Sequence, residues 1–148
     1  MKDLQGMIWK TAYESGDLRG EVYPDVPLAL KRWQAQGHRV AIYSSGSRAA
    51  QRLLFAHSTA GDLTPCLSAY FDITTAGRKA EAASYAQIAL SLGVVQLSDV
   101  LFVTDVLAEA EAARSAGCSV VISERPGNAA LPEGHGFDTV TSFDSLLA

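Results

Sequence analysis

Three times along this chain a stretch of helical period runs into a glycine and is followed by a short, nearly unbroken apolar run. Ala29–Gln36 stops at Gly37 ahead of Val40–Tyr43, Ala82–Leu92 stops at Gly93 ahead of Val100–Val103, and Leu107–Ala116 stops at Gly117 ahead of Val120–Ile122. Glycine readily takes the left-handed backbone that closes a helix at C′, which explains the punctuation. Apolar runs that do not alternate with polar residues belong to strands covered on both faces, and strands that take turns with helices build parallel sheets. The pattern predicts an α/β fold, a three-layer sandwich around a mainly parallel sheet.

The rest of the chain fits around that frame. Ala69–Ile73 follows a helix predicted over Ser47–Ser58 and reads as an edge strand. Phe143–Leu147 reads as a closing turn of helix capped by Ser142, and Arg125–Gly136, rich in Pro, Gly and Asn, as a long loop. The first 23 residues differ in texture: Leu4, Met7, Ile8, Ala12 and Tyr13 mark one helical face, broken at Ser15-Gly16-Asp17 and Arg19-Gly20 before Tyr23-Pro24-Asp25 opens the next helix. The expected division is a helical segment over 1–22 and an α/β core over 23–148.

At 148 residues the chain has the length of one domain. With 12 basic against 16 acidic residues and a net charge of −4, it offers no footprint for nucleic acid or an anionic membrane. No apolar run approaches a membrane span, and Met1-Lys2-Asp3-Leu4 begins no signal-peptide core, so a cytoplasmic location is expected. Cys66 and Cys118 lack Cys-x-x-Cys spacing and read as reduced thiols. His38, His57 and His135 lack metal-ligand spacing and read as surface or capping residues.

In parallel α/β sheets ligands sit beyond the carboxyl ends of strands. Tyr43-Ser44-Ser45-Gly46-Ser47 lies at one such end, where hydroxyls, a glycine and a helix start offer donors to a phosphate; a serine N-cap accounts for the motif equally well. Phe102-Val103-Thr104-Asp105 ends another strand, with Glu109 and Glu111 downstream. Asp105 there is either an oxygen ligand for Mg²⁺ or a helix cap. Between them the loop Thr74–Lys79 places Lys79 at the start of the next helix, where the dipole disfavours a cation unless it faces an anion; a solvated lysine is the alternative.

Taken in order, a strand ending in Ser, a loop Lys and a strand ending in Asp resemble motifs two, three and four of the haloacid dehalogenase superfamily. The resemblance narrows to the enolase-phosphatases (acireductone synthases) of methionine salvage through Leu4–Lys10, Tyr13–Gly16, Val22–Val26, Ile42–Ser47, Gln51–Phe55, His57-Ser58, Ala60–Thr64, Tyr70–Asp72, Lys79, Glu81–Tyr85 and Arg125–Asn128. It implies a haloacid-dehalogenase-like (Rossmannoid) sheet. It implies a phosphate held by Ser44, Ser45, Gly46 and Lys79, with Lys79 as the catalytic charge and Asp105 as the Mg²⁺ ligand. The implied reaction is enolisation and dephosphorylation of 2,3-diketo-5-methylthiopentyl-1-phosphate. One departure concerns the helix after Asp105, where the family's Glu-Leu-Asp-Ala-Ala is here Glu109-Ala110-Glu111-Ala112-Ala113.

The larger departure is the family's first motif, a strand ending in Asp-x-Glu-Gly-Thr or Asp-x-Asp-x-Thr whose first Asp is the nucleophile. No two aspartates of this sequence are separated by a single residue. By the resemblance, the sequence starts inside the last cap helix, 1–22 is a remnant of that cap, and the sheet lacks its central first strand, which would lie between the strands ending at Ser45 and Asp105. The expectation is a truncated, catalytically impaired form of a Mg²⁺-dependent phosphatase that still binds a small phosphorylated metabolite or inorganic anion. The alternative is a catalytically dead relative acting as a binding or regulatory module, which a coding sequence starting at Met1 would favour. The open strand edges would close by pairing with each other or be filled by another molecule, and a homo-oligomer joined through the Leu4–Tyr13 helix is expected.

Overall fold

The structure, a computed structural model, describes residues 19–147. The helix predicted over Leu4–Tyr13, and the interface expected on it, lie outside the described residues. The chain divides into two compact units, one running to Asp72 and taking in Leu147, the other Ile73–Leu146.

In the first unit, helix α1 (Asp25–Ala35) starts directly after Pro24 and buries Ala29, Leu30 and Trp33, one stripe at helical spacing. Gly37 then turns the chain at φ 84° into strand β1 (Ala41–Tyr43). Helix α2 (Arg48–Ala56) follows, its first turn capped by the Ser47 hydroxyl, which accepts from the Ala50 N–H at 3.1 Å. Its C-cap is His57. Strand β2 (Ala69–Phe71) pairs parallel to β1, Ala41 opposite Ala69 and Tyr43 opposite Phe71.

Gly20 ties the start of the described chain to this unit. Its N–H donates to the His57 carbonyl at 2.9 Å, and its carbonyl accepts from the Thr59 N–H at 2.9 Å. A Cβ there would collide with the Leu54 carbonyl and come within 2.7 Å of Leu54 Cγ. Gly20→Ala should therefore destabilise the chain by about 1–3 kcal/mol, the range for overpacking. A denaturant titration checks this, and an unchanged midpoint would contradict it.

The second unit begins with a single-turn helix α3 (Ile73–Ala76), then α4 (Ala82–Ser91), strand β3 (Leu101–Thr104), helix α5 (Leu107–Ala116), strand β4 (Ser119–Ser123) and strand β5 (Asp138–Val140). The strands run parallel in the order β3-β4-β5, with Leu101 opposite Ser119 and Val121 opposite Asp138. Gly93 (φ 70°) and Gly117 (φ 110°) close α4 and α5 in the left-handed conformation, as the sequence pattern requires. Helix α5 packs on α4, β3 and β4, and its fully buried Ala110 and Ala113 are small enough to permit that approach. Tyr85 of α4 meets Phe102 of β3 edge to face, ring centroids 4.8 Å apart. Ile122, fully buried in β4, contributes about 1.5–3 kcal/mol by its removal from water.

The α/β class and the parallel strands stand as predicted. Among the described residues β1 has one ladder partner, β2, and β3 has one, β4, so direct pairing of the two strands is not among the ladders formed. β1 is half-buried throughout, whereas β4, flanked on both sides, holds fully buried residues. Near-continuous apolar character therefore overstated the cover on β1.

Local details depart from the reading. Ile73 leaves the predicted edge strand to open α3, and Thr74–Ala76 belong to that helix rather than to a loop. Phe143–Leu147 forms a turn rather than a helix, since so few residues cannot offset the cost of helix nucleation. The Ser142 hydroxyl nevertheless accepts the Asp144 N–H at 3.1 Å, the bond expected of a cap. β5 gives no sequence signal, because Asp138 and Thr139 are exposed and form no apolar run. The segment 125–136 contains no helix or strand, as expected. Cys66 and Cys118 are buried free thiols, and burial pushes the Cys118 thiol upward, which keeps it protonated.

Candidate functional site

The loop after β1 is tied down by its own hydrogen bonds. The Ser44 N–H donates to the Phe71 carbonyl at 3.1 Å, continuing the ladder by one residue. The Ser44 hydroxyl accepts the Gly46 N–H at 3.2 Å, and Ser47 is spent on capping α2. Of the sequence readings of Ser44–Ser47, the helix cap holds for Ser47, while Ser45 is exposed at the strand end. The Asp72 carboxylate accepts the Arg48 N–H at 3.3 Å, adding a negative charge at the helix start.

In the second unit, Lys79 lies in the turn before α4 rather than in its first helical turn. The helix begins later because the Tyr85 hydroxyl donates to the Lys79 carbonyl at 2.5 Å and the Ser84 hydroxyl to the Arg78 carbonyl at 2.6 Å, pinning the turn from inside α4. Gly77 at φ 106° permits the turn, and a Cβ there would stand 2.5 Å from the Ser84 hydroxyl. The Lys79 ammonium lies 2.9 Å from Glu109 Oε1. The anion it faces within the chain is thus a carboxylate of α5.

Glu109 is buried and its two oxygens are both engaged, since Oε2 accepts the Thr104 hydroxyl at 2.5 Å. The Thr104 hydroxyl in turn accepts the Val106 N–H at 3.1 Å and so shapes the exit from β3. Asp105, next in line, is exposed and does not cap α5, whose N-cap is Val106. Asp105 lines a cleft of about 180 Å³ with Ser123, Glu124, Arg125 and Asn128. One wall is fixed by Asn128, whose amide donates to the Ser123 carbonyl at 3.0 Å. Glu111, the longer carboxylate that replaces the family's Asp, is exposed on α5, while Glu109 is the one that reaches Lys79.

Among the described residues no cluster of three or more His, Cys, Asp or Glu could hold a metal by itself. Asp105, with Glu124 lining the same cleft, instead presents the one or two carboxylates to which Mg²⁺ commonly binds while keeping several waters. That oxygen-only donor set fits Mg²⁺. His57 is the C-cap residue of α2, and His135 accepts the Phe137 N–H at 3.1 Å on Nδ1 in the loop before β5.

The structure thus brings Lys79 to the carboxyl end of β3 through Glu109, and places Ser44, Ser45 and Gly46 at the carboxyl end of β1. Sequence reasoning gave no role to Thr104 or Gln51. The available signals were Thr104 five residues ahead of Glu109, and a polar residue on the inner face of α2.

The model of the haloacid dehalogenase-like hydrolases matches residues 6–117. Over 146 residues the chain is 59% identical to the "Probable bifunctional methylthioribulose-1-phosphate dehydratase/enolase-phosphatase E1" of Populus trichocarpa, covering 99% of this chain. It is similar to the UTR4 protein (unknown transcript 4 protein) of Saccharomyces cerevisiae with a TM-score of 0.90 and 39% identity, over 98% of this chain and 66% of that one. A dehalogenase solved with an intermediate complex shares the fold, with a TM-score of 0.73 at 24% identity over 86% of this chain and 55% of that one. The chain spans about 28% of the length of the curated relatives it matches.

Proposed function

The chain belongs to the haloacid dehalogenase-like hydrolases, and from that membership we propose that it forms the phosphate-handling core of an enolase-phosphatase of methionine salvage. The substrate is 2,3-diketo-5-methylthiopentyl-1-phosphate. The observation that carries the proposal is the Lys79–Glu109–Thr104 chain of contacts, which sets a cation beside the strand end where Asp105 projects. Phosphoryl transfer asks a protein mainly to position groups and to neutralise developing charge.

In this reading Ser45 and Gly46, with Ser44 behind them, hold the phosphate, and Lys79 balances its charge and that of an attacking carboxylate. Asp105 would hold Mg²⁺, which supplies Lewis-acid neutralisation of the phosphoryl oxygens when bound. Glu109 holds the Lys79 ammonium beside the strand end by the 2.9 Å contact. No Asp-x-Asp or Asp-x-Glu-Gly-Thr pattern occurs in these 148 residues, so by themselves they hold phosphate without turning it over.

Two further points belong to the proposal. A cytoplasmic location accords with the free thiols of Cys66 and Cys118; among the described residues no helix is long and apolar enough to cross a membrane. Self-association accords with the single ladder partners of β1 and β3. Sedimentation at micromolar concentration should give at least twice the 15.7 kDa of one chain, and a monomer would count against it.

Calorimetry with inorganic phosphate tests the functional reading. The 148-residue chain should bind phosphate in the millimolar range, more weakly after Ser45→Ala and after Lys79→Ala. Absence of binding at millimolar concentration would sink it.

A further inference from the structure

We propose that Gln51 is a positioning residue for the strand-end loop, turning the Gly46–Ser47 peptide so that the Ser47 N–H is presented to a phosphate. This rests on the reading of Ser44–Gly46 as the phosphate loop. Gln51 lies on the inner face of α2 and is 5% exposed. Its Nε2 donates to two carbonyls, Gly46 at 2.8 Å and Phe71 at 2.8 Å. The Phe71 carbonyl also accepts the Ser44 N–H, so the end of β2, the loop after β1 and helix α2 are tied at one point. The Gln51 Oε1 is buried with no hydrogen-bond partner. A leucine or methionine would fill the same space without burying an orphaned acceptor, so space-filling does not account for an amide here.

What the amide does follows from peptide geometry. A trans peptide is planar, with its C=O and N–H on opposite sides. Drawing the Gly46 carbonyl onto Gln51 Nε2 therefore directs the Ser47 N–H the other way, away from the buried amide. Residues 45–48 are exposed. The Ser47 hydroxyl accepts the Ala50 N–H and the Ser47 carbonyl accepts the Gln51 N–H. No hydrogen bond within the described residues occupies the Ser47 N–H. The loop thus offers an anion the Ser45 hydroxyl and the Ser47 N–H, in an orientation set from behind by Gln51.

The test is a titration of the 148-residue chain with inorganic phosphate, followed at the backbone amides by NMR and in parallel by calorimetry. Wild type is compared with Gln51→Leu and Ser45→Ala. The Ser47 amide resonance should move with phosphate, and Gln51→Leu should weaken binding about tenfold, the loss of one bond to a charged group, with an unchanged circular dichroism spectrum. If wild type binds phosphate and Ser45→Ala weakens it, while the Ser47 amide stays still and Gln51→Leu binds as wild type, the role of Gln51 is overturned and the phosphate loop stands. A wild type that binds no phosphate overturns both. Should Gln51→Leu fail to fold, the Ser47 amide in wild type decides: movement supports the proposal and stillness overturns it.

Discussion

Glu109→Ala should lower the stability of the chain by about 2–4 kcal/mol, because it breaks a largely buried, hydrogen-bonded ion pair. For a domain of this size that is a fall in melting temperature of about 6–12 °C. The substitution takes away the carboxylate against which the Lys79 ammonium rests at 2.9 Å and leaves the buried Thr104 hydroxyl without its acceptor at 2.5 Å. Side-chain exposures of 22% for Lys79 and 12% for Glu109 place the pair well inside the range where solvent screening stops cancelling such interactions. Glu109→Gln retains an acceptor for Thr104 and should cost about half as much. Lys79→Met with Glu109→Leu should lose less than the sum of the two single changes, since the double replacement leaves no buried charge unpaired. Thermal denaturation of wild type, Lys79→Met, Glu109→Leu and the double variant checks the cycle. Strict additivity would show that the 2.9 Å contact carries no coupling.

The second large effect is kinetic. In Mg²⁺, the 148-residue chain should release no phosphate above background from a phosphomonoester or from the diketo ester. Joining to it a segment that carries the family's Asp-x-Glu-Gly-Thr strand should raise the rate by about 10⁵ or more, the advantage of a nucleophile held in line with the phosphorus. Each sheet has an edge open to such a strand: β1 has a ladder partner only in β2 and β3 only in β4 among the described residues. Each therefore keeps one row of backbone donors and acceptors that an inserted parallel strand can use. A joined protein that stays inactive while showing a parallel strand added at β1 would count against the assignment of Lys79 and Asp105.

Much of the fold was legible because its signals are local. A glycine that must turn left-handed ends a helix whatever surrounds it, and Gly37, Gly93 and Gly117 all do so. Helix α5 falls on the boundaries read from periodicity, Leu107–Ala116, because its buried alanines repeat at helical spacing. β5 was not legible, since an exposed edge strand built on Asp138 and Thr139 owes its pairing to β4 and not to its own composition. The start of α4 at Ala82 was legible, but the turn that holds Lys79 short of it was not: Tyr85 and Ser84 reach back to hold Lys79 and Arg78, a tertiary constraint that propensity does not carry.

The candidate site divides in the same way. Ser45, Lys79 and Asp105 were visible from residue type at strand ends and from the family resemblance. The contacts of Glu109 and Gln51 were not visible, because both bond to residues distant in sequence. Glu109 reaches Lys79 across α4 and α5. Gln51 reaches Phe71 on the neighbouring strand. A buried amide or carboxylate on an otherwise apolar helix face is the one sequence signal either residue gives, and it does not name the partner.

In the proposed function these residues form the phosphate-handling part of a phosphatase and the nucleophile is supplied by a separate Asp-x-Glu-Gly-Thr strand. Phosphate release from the diketo ester, in Mg²⁺, by the chain alone and by the chain joined to the Asp-x-Glu-Gly-Thr segment, tests it most directly. The account predicts silence from the chain alone and turnover from the joined protein, cut at least about 100-fold by either Asp105→Asn or Lys79→Met. Mg²⁺-dependent release by the chain alone, or turnover of the joined protein indifferent to both substitutions, would contradict it.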